Sequence, residues 1–207
     1  LSVTAPKKRQ KRDVEILTPA EVERLMRQCN ATAPTGIRNR ALITVLYRGA
    51  LRIAEALALR PIDVNPAEGT IRVLHGKNDV ARTPWIDDGA MTHVLRWMDT
   101  RRTLRLGPPS GPLFCTMKGA PMKPQYVRVM LHRIADPEHA DIGHRVHPHA
   151  FRNSWARDRA MDGVPMPIIQ RQLGHQNLAT TDVYLRGIAP ADVVATLREM
   201  VPRWEPS

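Results

Sequence analysis

The sequence has 207 residues, enough for one sizeable domain or two small ones. Hydrophobic residues make up 43%, ample for a packed core, and no apolar run approaches the roughly 20 residues that a membrane-spanning helix needs. A net charge of +11 favours a polyanionic partner, and the 4% aromatic content argues against a stacking platform for single strands.

Two cysteines, Cys29 and Cys115, give no disulfide framework and fit a reducing compartment. No secretory signal precedes the first helical pattern. A chain beginning with Leu1 rather than Met is expected to be a processed or shortened form. The carboxylates are scattered, with no cluster to hold paired magnesium ions, so a two-metal nuclease is disfavoured.

Residues 1–16 read as a basic arm. Lys7, Lys8, Arg9, Lys11 and Arg12 form a charge run with no hydrophobic pattern, which fits a linker lying on phosphates or a solvated tail. Thr18-Pro19-Ala20-Glu21 then predicts a helix start, with Thr18 as N-cap, Pro19 in the first position and Glu21 closing a capping box. Val22, Leu25 and Met26 give the apolar stripe, and the helix should end near Cys29-Asn30. A second helix is expected over 37–48, with Ile37, Ala41, Leu42, Val45 and Leu46 inward. Residues 52–59 read as an apolar helix with Arg52 and Glu55 on one face. A cation at a helix start opposes the macrodipole, so either function placed Arg52 there or the two form an ordinary surface ion pair.

Residues 70–75 and 81–86 read as strands around Gly76-Lys77-Asn78-Asp79, which predicts a hairpin with Lys77 near its tip. A helix follows over 90–104, with Met91, Val94, Leu95 and Met98 inward. Another lies within 121–135, with Val127, Met130, Leu131 and Ile134 inward. Residues 136–146 read as irregular. A helix from His149 to Met161 would put His149 and Arg152 on one face, and Gly163 stops it. A short helix over 165–173 ends at Gly174. The last pattern, 190–201, carries Val193, Val194, Leu197 and Met200 on one stripe. The expected fold class is mainly α with a small antiparallel β-sheet (α+β): an arm at 1–16, one compact domain at 17–189 and a helical tail at 190–207.

The segment from His147 to Tyr184 gathers the chemistry. His149 and Arg152 stand three apart, Leu173-Gly174-His175 follows, and Tyr184 comes nine residues after His175. A guanidinium, two imidazoles and a phenol suit a phosphate. His144, His147 and His149 lack Cys or carboxylate partners at ligand spacing, so no metal site is expected. Tyr184 by itself could be a half-buried packing residue. Tyr47 and Tyr126 have no such neighbours in the sequence.

In order and spacing these residues resemble the catalytic domain of the tyrosine recombinases, which include phage integrases and Xer-type recombinases. The resemblance runs from about Leu17 to Tyr184. It matches Arg52 and Glu55 to a G-x-R-x-x-E helix start and Lys77 to a hairpin lysine. His149 and Arg152 match H-x-x-R, Leu173-Gly174-His175 matches L-G-H, and Tyr184 matches the downstream tyrosine. Ala50 stands where a Gly is usual, Phe151 replaces the common Leu, and Asn153 stands where His or Asp is frequent. Asn78-Asp79 replaces Gly and further basic residues, while Arg82 is retained.

The resemblance implies an enzyme that breaks and rejoins DNA strands. Arg52 and Arg152 would clamp the non-bridging oxygens of a phosphodiester, charged at any working pH and with no metal or other cofactor. Glu55 would support Arg52. Tyr184 would attack phosphorus. Its phenol, with a reference pKa of about 10, needs a base or a positive field, and His149 is the candidate base. Lys77 would protonate the leaving 5′ oxygen and His175 would donate a hydrogen bond to the phosphate. Arg82 and the arm residues would contact DNA. The product would be a 3′-phosphotyrosine, resealed by another strand's 5′-hydroxyl without ATP.

The partners implied are a double-stranded DNA recombination site, further copies of the chain in a tetramer and accessory DNA-bending proteins. No membrane is implied, and the setting is the bacterial cytoplasm. The tail would pack on its own domain or dock on a neighbouring protomer. The rival readings are a type IB-like topoisomerase and a DNA-binding regulator with a disused site.

Overall fold

The computed structural model describes residues 15–74 and 81–174. Among them the chain forms α1 (Pro19–Arg27), α2 (Pro34–Tyr47), α3 (Ile53–Ala58), a 3-10 turn (Pro61–Asp63), β1 (Val64–Asn65) and β2 (Thr70–Ile71). It continues with α4 (Asp88–Thr103), α5 (Pro124–Ala135), α6 (Pro148–Met161) and α7 (Met166–Leu173). This is the mainly helical class with a small antiparallel sheet that the sequence implies. No helix among these residues is long and apolar enough to cross a membrane.

Capping explains most of the boundaries. The Glu21 amide donates to Thr18 Oγ1 at 3.3 Å and the Thr18 amide to Glu21 Oε2 at 2.7 Å, which is the expected capping box. Asp87 caps α4 by accepting from the Ala90 amide at 3.0 Å. α2 starts at Pro34, ahead of the expected residue 37. Asn30 Oδ1 accepts from the amides of Thr32 and Ala33 at 2.8 and 3.0 Å and turns the chain into Pro34, whose missing N–H is no loss at a first helical position. Gly36 is required by this turn, because a Cβ on it would stand 1.9 Å from the Asn30 carbonyl oxygen.

α2 is the axis of the core. From Gly36 to Tyr47 every residue but the half-buried Arg40 is buried, as fits a helix with little polar face. α4 and α6 pack on it most extensively. α4 turns Ala90, Met91, Val94, Trp97 and Arg101 inward. The sequence reading also put Leu95 inward, but Leu95 is exposed. The buried ridge steps by three and four residues through Val94, Trp97 and Arg101, and Leu95 lies about 100° around the helix from Val94. Trp97 is fully buried and its indole N–H donates to the Leu113 carbonyl at 2.8 Å. Buried Arg101 donates to the Pro108 and Pro112 carbonyls at 2.7 and 3.1 Å, tying the proline-rich loop to α4.

The expected hairpin is present as a ladder. Val73 N donates to Arg82 O at 2.8 Å, Arg82 N to Val73 O at 3.0 Å and Ile71 N to Pro84 O at 2.9 Å. β1, for which the sequence pattern carries no signal, pairs with β2 from the other side, Val64 opposite Ile71 and Asn65 opposite Thr70. Buried Asp63 locks this edge. Its carboxylate accepts from the Arg60 and Arg72 guanidiniums at 3.0 to 3.4 Å, and its carbonyl accepts from Arg72 N at 2.7 Å.

Trp97→Ala removes the largest of the fully buried side chains together with the bond to Leu113. It is expected to lower the unfolding free energy by about 3–5 kcal/mol, read from the urea midpoint at unchanged slope. A loss below about 1 kcal/mol would contradict this picture of the core.

Candidate active site

Three segments far apart in sequence meet at Arg152. The residue is fully buried on α6. Its terminal nitrogens donate to the carbonyl of Ala50, in the turn between α2 and α3, and to that of Leu173, the last residue of α7. A guanidinium taken out of water needs such acceptors, and charge-assisted bonds to carbonyls supply them. Arg152 thereby fixes the peptide ahead of Leu51-Arg52 and the peptide ahead of Gly174-His175.

Ala50 has φ of +49°, in the left-handed region where glycine is at ease. The usual glycine at this place in the motif has a physical reason here. Leu51 N reaches back to Val45 O at 3.3 Å and closes the end of α2 through this turn. The Ala50 methyl is buried beside Ala156, Ile169 and Leu173, which offsets part of the strain.

Arg52 is the N-cap of α3 rather than a residue inside it. Its amide donates to Glu55 Oε2 at 2.8 Å and its guanidinium to Glu55 Oε1 at 2.7 Å. The Arg52 side chain is 24% exposed while that of Glu55 is 3% exposed, so the cation faces outward from a buried anchor. The local conflict with the helix dipole is resolved by Glu55, which sits in the first turn and takes both bonds.

Arg82 corrects the sequence reading. It was expected on DNA, but its side chain is only 7% exposed. Its terminal nitrogens grip Glu55 at 2.8 and 2.7 Å and its Nε donates to the Gln172 carbonyl at 3.0 Å. The guanidinium is thus committed to the protein. The cause is the hairpin ladder, which lays Arg82 opposite Val73 and beside α3 and α7. Gly174, at φ +63°, leaves the room: a Cβ there would stand 2.7 Å from Arg82 Cδ. Burial works against the Glu55 carboxylate, but Arg82 and then Arg52 outweigh it and hold its pKa at about 2.

His149 stands on the first turn of α6 with part of its surface open to solvent. Packing around the ring, then the charges of Arg152, His147 and Arg52, push its pKa down to about 4. At neutral pH the imidazole is therefore uncharged and able to take a proton. His147 is the N-cap of α6, its Nδ1 accepting from the amides of His149 and Ala150 at 3.2 and 3.3 Å. Its Nε2 pairs with the Glu15 carboxylate, and its ring stacks on His149 at 6.4 Å between centroids. Sequence reasoning missed this cap, because histidine is not a usual capping residue.

Beside His149 lies an open groove of about 920 Å³, lined by Gln125, Arg128, His132, Arg133 and Arg145 among others. It carries three guanidiniums, from Arg128, Arg133 and Arg145, against one carboxylate, Asp136, beside the candidate base. The other two tyrosines are occupied. Tyr47 donates to Asp158 Oδ2 at 2.8 Å, and burial together with that carboxylate pushes its pKa up. Tyr126 accepts from Arg38 at 2.9 Å, with the guanidinium 5.2 Å from the ring centre.

Among the described residues, no group of three or more His, Cys, Asp or Glu is placed to hold a metal ion. Lys77, His175, Tyr184, the arm residues Lys7, Lys8, Arg9, Lys11 and Arg12, and the tail at 190–207 lie outside the described residues.

The profile of the phage integrase family matches residues 15–188. The chain belongs to the phage integrase family. Among curated members it is 32% identical over 169 residues to the tyrosine recombinase XerD of Ralstonia nicotianae, covering 81% of this chain and 54% of that protein. It is 33% identical over 169 residues to XerC of Halalkalibacterium halodurans, covering 79% of this chain and 55% of that protein. The chain thus spans about half the length of the curated relatives it matches.

The fold agrees with solved members of the family. The crystal structure of XerA recombinase superposes with a TM-score of 0.78 at 23% identity, over 97% of this chain and 68% of that one. XerH recombinase bound to its palindromic difH substrate superposes with a TM-score of 0.72 at 23% identity, over 91% of this chain and 54% of that one. Within this integrase-family domain, Arg52, Glu55, His149 and Arg152 come together, while Arg82 serves as their scaffold.

Two outcomes are expected from these geometries. Glu55→Ala leaves the buried Arg82 without its carboxylate and should cost about 3–5 kcal/mol, read by chemical denaturation. Because the Glu55 pKa is depressed, its stabilisation is present above its ordinary value of 4.5 and is lost as pH falls towards 2. An unchanged midpoint in Glu55→Ala would contradict the anchor. For His149, an NMR titration of the DNA-free chain should give a midpoint near 4. Its depressed pKa makes its contribution to stability complete above about pH 6.5 and lost as pH falls towards 4. A bound phosphodiester, being an anion, should raise that midpoint. A free-chain midpoint near the ordinary histidine value would contradict the neutral imidazole.

Proposed function

We propose that this chain is the catalytic domain of a site-specific DNA recombinase that cuts and rejoins strands through a 3′-phosphotyrosyl intermediate. The observation that carries the reading is the meeting of Arg52, His149 and Arg152 around one buried junction, Ala50–Arg152–Leu173. That junction joins parts of the chain more than a hundred residues apart. The basic groove beside His149 and the net charge of +11 support a DNA backbone as the ligand. The XerD and XerC relatives support recombination as the outcome.

The chemistry follows from the residues. Neutral His149 takes the phenolic proton of Tyr184. The phenolic oxygen bonds to phosphorus, the bond from phosphorus to the 5′ oxygen breaks, and that oxygen takes a proton from Lys77. Arg52, partly exposed, meets the non-bridging oxygens, and His175 donates to one of them. Arg152, expected from the resemblance to clamp those oxygens beside Arg52, is fully buried with its terminal nitrogens on carbonyls, so it adds its charge from behind while holding the two turns in place. Phosphoryl transfer asks mainly for such positioning and charge. The reverse step, with another strand's 5′-hydroxyl as nucleophile, restores the phosphodiester, so neither ATP nor a cofactor enters the balance.

The assembly we infer is a tetramer on a double-stranded recombination site in the bacterial cytoplasm, aided by DNA-bending proteins. The basic arm would lie on phosphates and the tail would dock on a neighbouring protomer.

A duplex nicked beside the cut site traps the intermediate, because the short 5′ fragment diffuses away. Wild type should form a covalent adduct in the presence of EDTA. Tyr184→Phe should form none while its DNA affinity changes little. An adduct that survives in Tyr184→Phe moves the nucleophile elsewhere. Relaxation of supercoiled plasmid without joining between paired sites would favour a topoisomerase. Binding without any wild-type adduct would favour a regulator.

A further inference from the structure

Gln172 makes a pair of bonds that the reaction as described leaves unused. Its Oε1 accepts from the Trp85 amide at 3.1 Å and its Nε2 donates to the Trp85 carbonyl at 2.7 Å. A side-chain amide pairing with both main-chain groups of one residue mimics a rung of a β-ladder, so it fixes separation and register together. Trp85 lies on the return strand of the hairpin, which carries Arg82 opposite Val73 and Trp85 opposite Thr70. Gln172 stands two residues before Gly174, at the end of α7. The same residue's carbonyl accepts from Arg82 Nε at 3.0 Å, and Arg82 holds Glu55, which holds Arg52.

From this geometry we infer that Gln172 is a positioning residue that sets the hairpin carrying Lys77 against the end of α7 and the Arg52 anchor. This rests on the function proposed above. Two bonds to a strand whose Trp85 side chain is 58% exposed add little to stability, since each competes with water. Their effect lies in placement. The Gln172 rung, the Arg82 fork and the Val73 ladder fix the return strand at three points, and Lys77 stands five residues before Arg82 in the sequence. Proton delivery to a leaving oxygen is sensitive to displacements of about an ångström, which cost on the order of a hundredfold in rate.

The test separates placement of a proton donor from general damage. Two nicked duplexes are prepared that differ in one atom, the bridging 5′ position at the cut site, oxygen in one and sulfur in the other. With sulfur, the phenolic oxygen bonds to phosphorus, the phosphorus–sulfur bond breaks, and the thiolate leaves without taking a proton. Gln172→Ala should form adduct about tenfold or more slowly than wild type on the oxygen duplex. It should match wild type on the sulfur duplex, with DNA affinity little changed on both. Gln172→Glu, which keeps the acceptor for the Trp85 amide and loses the donor, should show the same pattern to a smaller degree. It also serves if the alanine variant fails to fold. Equal slowing on both duplexes, or no slowing on either, would overturn the inference. A wild type that forms no adduct with either duplex would instead overturn the proposed function, a result distinct from the other two.

Discussion

The buried guanidinium of Arg152 is the constraint on which the rest of the structure depends. Taking a cation out of water is costly, and a fully buried one persists only where acceptors surround it. Here two of those acceptors are main-chain carbonyls, one before α3 and one at the end of α7. The Leu173 carbonyl closes α7, and the Ala50 carbonyl lies in the turn between α2 and α3. The bonds therefore do double service. They satisfy the end of α7, fix the turn ahead of α3 and hold a positive charge at the place where Arg52 and His149 also gather. A left-handed Ala50 is tolerated because this arrangement over-determines it.

A second junction works by the opposite logic. At Glu55 the buried charge is the anion, and two guanidiniums converge on it. One of these, Arg82, is sealed in and acts as a strut between α3, the hairpin and α7. The other, Arg52, remains partly open and is free to turn its outer face to a ligand while its inner bonds are kept. Fixing dipoles and charges before a phosphate arrives is what makes phosphoryl transfer fast in a water-poor site. Burial first, then the charges of Arg152 and Arg52 among others, keep His149 neutral until an anion enters, so the candidate base is ready when the substrate binds.

Much of this was legible in the sequence, for local reasons. Thr18 with Glu21, and Gly174 after α7, mark boundaries through chemistry that acts over three or four residues. Arg52, Glu55, His149 and Arg152 could be named from the resemblance to the tyrosine recombinases that their order and spacing carry, and the structure brings these four together. What was not legible depends on tertiary geometry. Arg82 reads as one more surface cation until the ladder turns it towards Glu55. Leu95 and Trp97 are both apolar, and only the helix phase decides which one enters the core. β1 is two residues long and exists because β2 is there to pair with it. The His147 cap and the Gln172 rung use residue types that carry no strong positional signal of their own.

The claim at the centre is that the planar fork of Arg152, and not its charge alone, assembles the site. Arg152→Lys tests it most directly, because a lysine keeps the charge but cannot span the Ala50 and Leu173 carbonyls as a fork does. The measurement is the rate of covalent adduct formation on a nicked duplex at saturating protein. A fall of about a hundredfold or more with DNA affinity largely retained is expected. A lysine variant that cleaves at the wild-type rate would contradict the claim.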